Sequence, residues 1–397
     1  MNKLPSDWQI KTINEVCNIY TGNSINKKKK EENFIGLKEG LNYIGTKDIS
    51  FNNIIEYENG VKIPFKDLKD FKIAKSNTSL LCIEGGSAGR KIGFTNQDVC
   101  FGNKLCCFEA IEDEPKFIYF YLQSNDFLRE FNSNIQGLIG GVNKENLRKI
   151  KIPIPPLNEQ KRIASALSKI DAYLENTIKL IEEKERFKRG IAKKLLTCKE
   201  GENIPEARFK GFEDEWKTKT LENICKNIKT GKLNANAMEK DGQYRFYTCA
   251  KDYYKINTYA FDGEAILISG NGAHVGYVHY YNGKFNAYQR TYVLMDFTEN
   301  ILFIKYYLDI HLKYKINIEN NKGNIPYIVL NTIKDMEIKF PSLEEQEKIG
   351  GYLSLLDAEI DNLKKQKELI KEMKIGAMQK LLSGEVRLSK NAFNENI

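Results

Sequence analysis

Histidines, cysteines, paired carboxylates and glycine-rich turns are what catalytic and metal sites are built from. In this chain their spacing builds neither. His274, His279 and His311 are the only histidines. The first two stand five apart in a Gly- and Tyr-rich, strand-like stretch, so they share no helix face and read as core or surface residues rather than zinc ligands. The eight cysteines include no Cys-x-x-Cys pair, and Cys106-Cys107 are adjacent, which suits neither zinc spacing nor an ordinary disulfide. They read as buried small hydrophobes. There is no Gly-x-x-x-x-Gly-Lys-Ser/Thr loop, no His-Glu-x-x-His and no Gly-x-Ser-x-Gly elbow. Glu84-Gly85-Gly86-Ser87-Ala88-Gly89-Arg90 is not a dinucleotide fingerprint, because no strand–helix unit with a downstream acid surrounds it. Glu344-Glu345 sits in a Leu-x-Glu-Gln stretch that reads as a helix start, its acids complementing the N-terminal dipole. Lys27 to Lys30 is a run of four lysines followed by Glu31-Glu32. It reads as a solvated loop, with contact to a phosphate backbone as the functional alternative. Nothing in these residues argues for an enzyme.

The elements that would position such groups show a duplication. The stretch from Leu157-Asn158-Glu159-Gln160 to Lys194-Leu195-Leu196-Thr197 returns 186 positions later, from Leu343-Glu344-Glu345-Gln346 to Lys380-Leu381-Leu382-Ser383. Between 152–197 and 338–383, 18 of 46 positions are identical, so a whole unit has been repeated. Ile163, Leu167, Ile170, Leu174, Ile181, Ile191 and Leu195 fall on a 3.5-residue seam, with Thr177, Lys184 and Lys188 at its polar positions. Ile349, Leu353, Leu356, Ile360, Leu363, Ile370 and Leu381 do the same in the second copy. This is a coiled-coil pattern, and about 40 residues of it make a rod of roughly 60 Å. Gly190 and Gly376 interrupt the two copies at matching positions, which suggests close helix–helix approach or a local bend.

Before the first rod lies a block of short apolar runs broken by Asn, Gly and Asp, such as Ser79 to Ile83 and Leu105 to Phe108, which read as strands between turns; a second block precedes the second rod. The stretch from Phe117 to Phe131 spaces its apolar residues like a helix. The blocks open alike, at Trp8 and Trp216, and each reaches a Thr-Gly pair, Thr21-Gly22 and Thr230-Gly231. Each also has a glycine-rich turn, at 84–90 and 269–274, and otherwise they diverge. The expected segments are a globule at 1–152, a helix at 153–200, a globule at 201–338 and a helix at 339–390. The expected fold class is α+β, two globular α/β domains separated by two long coiled-coil helices. For both seams to be buried against each other the second helix must run back along the first. The pair is then antiparallel and the halves relate by a pseudo-two-fold axis, which suits a target with two half-sites.

A chain of 397 residues with 41% hydrophobic and 29% charged residues is globular. No apolar run is long enough to cross a bilayer and residues 1–5 lack the apolar core of a signal peptide, so a cytoplasmic protein is expected. The net charge of +8 permits nucleic-acid binding without requiring it.

The doubled helix start, Pro155-Pro156-Leu157-Asn158-Glu159-Gln160 and Pro341-Ser342-Leu343-Glu344-Glu345-Gln346, resembles the spacer helices of Type I restriction–modification specificity subunits. So do the Lys194-Leu195-Leu196 and Lys380-Leu381-Leu382 endings, the Trp8 and Trp216 openings, and Phe261 to Ser269 with its glycine-rich turn. The resemblance covers essentially the whole chain. It implies two target-recognition domains, each reading half of a split, asymmetric DNA sequence, with the helices as a ruler between them. It also implies a non-catalytic subunit. Two modification subunits would methylate adenine with S-adenosylmethionine, and restriction subunits would translocate and cut DNA with ATP and Mg. No cofactor would be bound by this chain itself. DNA contacts are expected from loops carrying basic and amide side chains. In the first globule these are Lys27, Lys28, Lys29, Lys30, Arg90, Lys91, Asn103, Lys104, Gln136 and Lys144. In the second they are Lys229, Lys232, Lys251, Asn271, His274, Gln289, Arg290, Asn321, Lys322 and Asn324. Gly137, Gly140, Gly141 and Gly323 are expected to shape loops near the duplex. The competing readings are a coiled-coil adaptor or scaffold without DNA specificity, a solitary nuclease, and a specificity subunit serving a different defence system.

Overall fold

The computed structural model describes residues 4–136, 140–319 and 327–388. The chain divides into two compact units, residues 1–177 with 366–397 and residues 178–365. The division falls inside the two long helices, so each unit is one globule with a part of each helix.

In unit 1, β1 (Gln9–Thr12) pairs antiparallel with β10 (Lys151–Ile154), closing the globule's start onto its end. Between them run α1 (Ile13–Val16), β2 (Cys17–Thr21), α2 (Lys27–Asn33), β3 (Leu41–Ile44), β4 (Lys62–Ile63), β5 (Ile73–Ala74), β6 (Ser79–Cys82), β7 (Ile92–Phe94), β8 (Val99–Phe101) and β9 (Leu105–Ala110). Three helices follow, α3 (Pro115–Tyr121), α4 (Asn125–Ser133) and α5 (Lys144–Lys149). Two four-stranded sheets form, ordered β2-β9-β6-β7 and β4-β3-β8-β5. The helix expected across Phe117 to Phe131 is two, because the Ser124 hydroxyl caps a fresh start by accepting from Phe127 N. Cys17, Cys82, Cys100, Cys106 and Cys107 are all buried here as free thiols, and burial pushes the Cys107 thiol up to about 11.

Helix α6 (Leu157–Leu196) leads into unit 2, which repeats the closing device: β11 (Lys217–Thr220) pairs antiparallel with β18 (Glu337–Phe340). Inside lie α7 (Leu221–Ile224), β12 (Cys225–Thr230), β13 (Tyr244–Tyr247), β14 (Tyr254–Ile256), β15 (Phe261–Ser269), β16 (Val278–Ala287), β17 (Thr291–Phe297), α8 (Ile301–Glu319) and α9 (Leu330–Lys334). The strands make one six-stranded sheet, β12-β17-β15-β16-β13-β14. Gly263 and Gly283 face each other across β15 and β16 with φ of +120° and +139°, values that favour glycine. β16 pairs antiparallel with β15 along 278–285, and its last residues, 285–287, pair in parallel with β13 on the other side, as β8 does with β3. The last helix is α10 (Leu343–Leu382).

The seam residues of the helices complete the two cores. In unit 1, Ile163 and Leu167 of α6 join Met378, Leu381 and Leu382 of α10 under α3 and α4. In unit 2, Ala192, Leu195 and Leu196 join Ile349, Leu353 and Leu356. Within unit 2 the helices run antiparallel, since Lys184 reaches Glu359 at 2.7 Å while Lys188, further along, reaches Asp357 further back. In unit 1, Lys374 reaches Asp171 at 2.6 Å. Lys188 and Lys374 are matched positions of the duplication, as are Asp171 and Asp357, so each unit holds the same pair with the helices exchanged. Close approach at Gly190 and Gly376 is not found. Outside the helix's own backbone nothing lies within 4 Å of where a Cβ would stand at either, and both helices continue through them.

The Leu-x-Glu-Gln stretch does more than start a helix. Glu159 and Glu345 are 2% and 0% exposed, too buried to serve as solvated dipole partners. Arg208, twelve residues past α6, forks onto Glu345 with Nε and a terminal nitrogen at 2.8 and 2.7 Å. Arg387, five past α10, forks onto Glu159 in the same way and also onto Asp7, while Trp8 Nε1 donates to Glu159 at 3.3 Å. The neighbouring glutamines bind the turn before α3 or α8. Gln160 accepts from Glu114 N at 2.8 Å and donates to Asp113 and to the Pro155 carbonyl. Gln346 accepts from Asn300 N at 3.0 Å and donates to Glu299 and to the Pro341 carbonyl. Each pair fastens a globule to the start of one helix and the end of the other.

Candidate nucleic-acid interface

The loops of both globules are tied by the same backbone bonds. In unit 1, Ile83 N donates to the Lys104 carbonyl, Val142 N to the Ile83 carbonyl and Gly89 N to the Cys82 carbonyl. In unit 2, Gly270 N donates to the Arg290 carbonyl, Ile328 N to the Gly270 carbonyl and Gly276 N to the Ser269 carbonyl. Gly85 and Gly272, then Gly89 and Gly276, take positive φ at corresponding points of the two turns. The glycine-rich turns therefore correspond as 84–90 with 271–277, a register two residues later in the second globule than the sequence alone suggests.

The Thr-Gly pairs belong to the same framework. A Cβ at Gly22 would stand 1.9 Å from the Phe101 carbonyl oxygen, and one at Gly231 would stand 1.9 Å from that of Ala287. Only glycine lets the chain leaving β2 or β12 pass this close to the strand beside it. The cluster thus joins four segments per globule: the stretch after the Thr-Gly pair, the glycine-rich turn, the turn before β9 or β17, and the segment before α5 or α9.

On this common frame the side chains differ. Glu84 corresponds to Asn271, Ser87 to His274, Asn103 to Gln289, Lys104 to Arg290 and Gly141 to Tyr327. Lys104 pairs with Glu84 at 3.5 Å, whereas Gln289 donates to Asn234 at 3.0 Å. Asn103, Lys104, Gln136, Gln289 and Arg290 are exposed. The structure thus brings together Arg90, Lys91, Asn103, Lys104 and Gln136 in one globule, and Lys232, Asn271, His274, Gln289 and Arg290 in the other. Lys251 follows β13, and the neighbouring Cys249 Sγ contacts the Arg290 carbonyl at 3.4 Å.

Other candidates lie on different elements from those expected. Lys27 to Lys30 are not a loop but the opening of α2, because the Asn26 side chain accepts from Lys28 N and Lys27 and Lys28 pair with Glu31 and Glu32 at 3.9 Å. Lys144 opens α5 rather than lying in a loop, and Lys229 lies within β12 opposite Val293. Asn321, Lys322 and Asn324, with Gly137 and Gly323, fall outside the described residues. Gly140 has a φ of +69° and its carbonyl accepts from Gly85 N, so it does shape the loop beside the glycine-rich turn. Glu84, Ser87, Asn234 and Tyr327 lie on the same frame and are not among the residues expected from the sequence. The signal that finds them is the correspondence of the two turns, which requires the backbone bonds.

His279 and His311 are half-buried. Their Nε2 atoms donate to the carbonyls of Ala250 and Leu196 at 2.9 Å, and burial lowers both pKa values. Both are structural, and no metal cluster exists among the described residues.

Two globules on one frame, each fastened to a pair of long helices, define a class that the comparisons identify. The Type I restriction modification DNA specificity domain matches residues 5–183 and again 213–372, and the chain belongs to that family. The Type I restriction enzyme EcoDI specificity subunit of Escherichia coli is 38% identical over 187 residues, which are 46% of this chain and 41% of that protein. The MjaVIII specificity subunit of Methanocaldococcus jannaschii is 26% identical over 97% of this chain and 94% of its own length. The fold matches the crystal structure of a Type I restriction–modification S subunit from M. genitalium, with a TM-score of 0.64 and 20% identity over 96% of this chain and 97% of that one. No described helix is long and apolar enough to cross a membrane.

Proposed function

We propose that this chain is the DNA-sequence specificity subunit of a Type I restriction–modification complex, recognising a bipartite, asymmetric site. One observation carries the reading: two globules share a loop frame while differing in side chain at its exposed positions. A shared frame presents both loop sets to the same kind of ligand, and unlike side chains read unlike sequences. The basic and amide residues of the clusters suit phosphate and base-edge contacts. The chain supplies no catalytic group. Methylation of adenine with S-adenosylmethionine belongs to two modification subunits, and ATP- and Mg-dependent translocation and cleavage to restriction subunits. The helices receive these partners and set the gap between the half-sites.

The test is to assemble the chain with the modification subunits encoded beside it and map methylated adenines by sequencing. Two short motifs separated by a fixed unread gap are expected, and a continuous motif refutes the reading. Exchanging residues 201–337 for another globule changes one half-site only. Recovery of partners that include no methyltransferase favours the adaptor reading instead.

A further inference from the structure

Each globule carries an exposed aromatic side chain in the loop that follows its parallel-paired strand, and each has a cation on its ring. In unit 1 it is Phe51, 63% exposed, with the Arg90 guanidinium 5.6 Å and the Lys91 Nζ 4.8 Å from the ring centroid. In unit 2 it is Tyr253, 45% exposed, with the Arg245 guanidinium at 4.3 Å. The preceding strands correspond, since Ile44 pairs with Phe101 and Tyr247 with Ala287, the two residues whose carbonyls crowd Gly22 and Gly231.

A single exposed aromatic residue needs no explanation. Recurrence at corresponding places in two globules that otherwise diverge does. Both sites also adjoin the proposed reading loops. Arg90 ends the glycine-rich turn of unit 1, and its guanidinium is bound to the Gly86 carbonyl of that turn. In unit 2 the matching residue, Tyr277, packs edge-on to His279 at 4.7 Å, and His279 to Tyr247 at 5.1 Å, which in turn lies 6.1 Å from Tyr253. The loops are held in place: Lys91 Nζ donates to the Thr46 carbonyl at 3.0 Å and Asn53 Nδ2 to Gln123 at 2.9 Å. In unit 2 the His279 ring holds the Ala250 carbonyl. A fixed, exposed ring beside a cation is the combination that stacks on a nucleobase while pairing the adjoining phosphate.

We propose that Phe51 and Tyr253 are stacking wedges, one per half-site, each lying against a base that it partly unstacks from the duplex. This rests on the DNA-reading function proposed above. The N–H donors of Arg90, Lys91 and Arg245 not used in the contacts above pair the phosphate beside that base.

The experiment uses the chain assembled with its modification subunits and duplexes of the mapped site, with 2-aminopurine placed singly along each half-site. The wild-type complex raises the fluorescence at one step of each half-site. F51A abolishes the rise in one half-site only and weakens binding about tenfold, and Y253A does so in the other. F51L, which keeps apolar volume without an aromatic face, behaves as F51A, and F51W retains the signal. Unchanged melting of F51A and F51L establishes that folding is intact, as the exposure of Phe51 implies. Absence of any responsive position in the wild type overturns the inference, as does retention of signal and affinity in F51L. A wild-type complex that selects no sequence at all refutes the recognition function instead.

Discussion

Removing Arg208 tests whether the buried glutamate of the Leu-x-Glu-Gln stretch fastens unit 2 together. Glu345 has no solvent exposure, and both its carboxylate oxygens are held by the Arg208 fork. In R208A the charge stays buried without its partner, which costs roughly 3–5 kcal/mol in comparable buried pairs. A unit of this size loses roughly 2–4 °C of Tm per kcal/mol, so its calorimetric transition falls by roughly 6–20 °C. R208M with E345M removes both charges and leaves apolar volume, so most of the loss is recovered. R387A supplies the internal comparison. Arg387 is 45% exposed and Glu159 keeps a donor in Trp8 Nε1, so R387A lowers the unit 1 transition by less. The reasoning is refuted if R208A shifts melting no more than R387A, or if the double substitution is as destabilised as R208A.

The glycines divide by what surrounds them. G231A drives a methyl group to 1.9 Å from the Ala287 carbonyl oxygen and destabilises unit 2 by about 3 kcal/mol in a denaturant titration, whereas G190A meets nothing within 4 Å on a helix and stabilises by about 0.5–1 kcal/mol. The matched aspartates answer acid with opposite sign. Asp357 is pushed up by burial, but hydrogen bonds from Lys188 and Tyr306 outweigh this and hold it below 3.8, so its contribution is lost as pH falls through that lowered value. Burial raises Asp171 above 3.8 despite Lys374, so folded unit 1 takes up its proton first and gains stability as pH falls through that raised value. Melting curves should show D357N flattening the acid loss of unit 2 and D171N removing a gain in unit 1. Four residues inserted at matched points of α6 and α10 lengthen each helix by about 6 Å. The mapped DNA gap then lengthens by one or two base pairs with both half-sites unchanged, and an unchanged gap contradicts the ruler.

The helices were legible in the sequence because their signal is local and repeated. Ile163, Leu167, Ile349 and Leu353 advertise a buried seam through spacing alone, and the doubled Leu-x-Glu-Gln fixes where each helix begins. What Glu159 and Glu345 do was not legible. Their partners, Arg387 and Arg208, lie 228 and 137 residues away and at unmatched distances past the helix ends, so no alignment of the repeats pairs them. The lysine run differs from its expectation for another reason: charge without periodicity looks like a loop, and what makes α2 is one asparagine cap and two lysine–glutamate pairs at i,i+4.

The proposed reading positions are the hardest to see, and the physics says why. Glu84 and Asn271 correspond only because Ile83 and Gly270 bond to the carbonyls of Lys104 and Arg290, a relation between segments some twenty residues apart. The frame is held by backbone groups, which place little demand on the side chains they carry. A site whose scaffold is main chain leaves its side chains free to diverge, and divergence hides it from a comparison of the two halves. The same freedom would allow two halves of one chain to read different sequences, as proposed. The failure of the globules to align beyond their Thr-Gly pairs and glycine-rich turns is therefore what the proposed duplicated reader predicts, and the helices, whose seam residues are buried in both cores, are the part that duplication preserved.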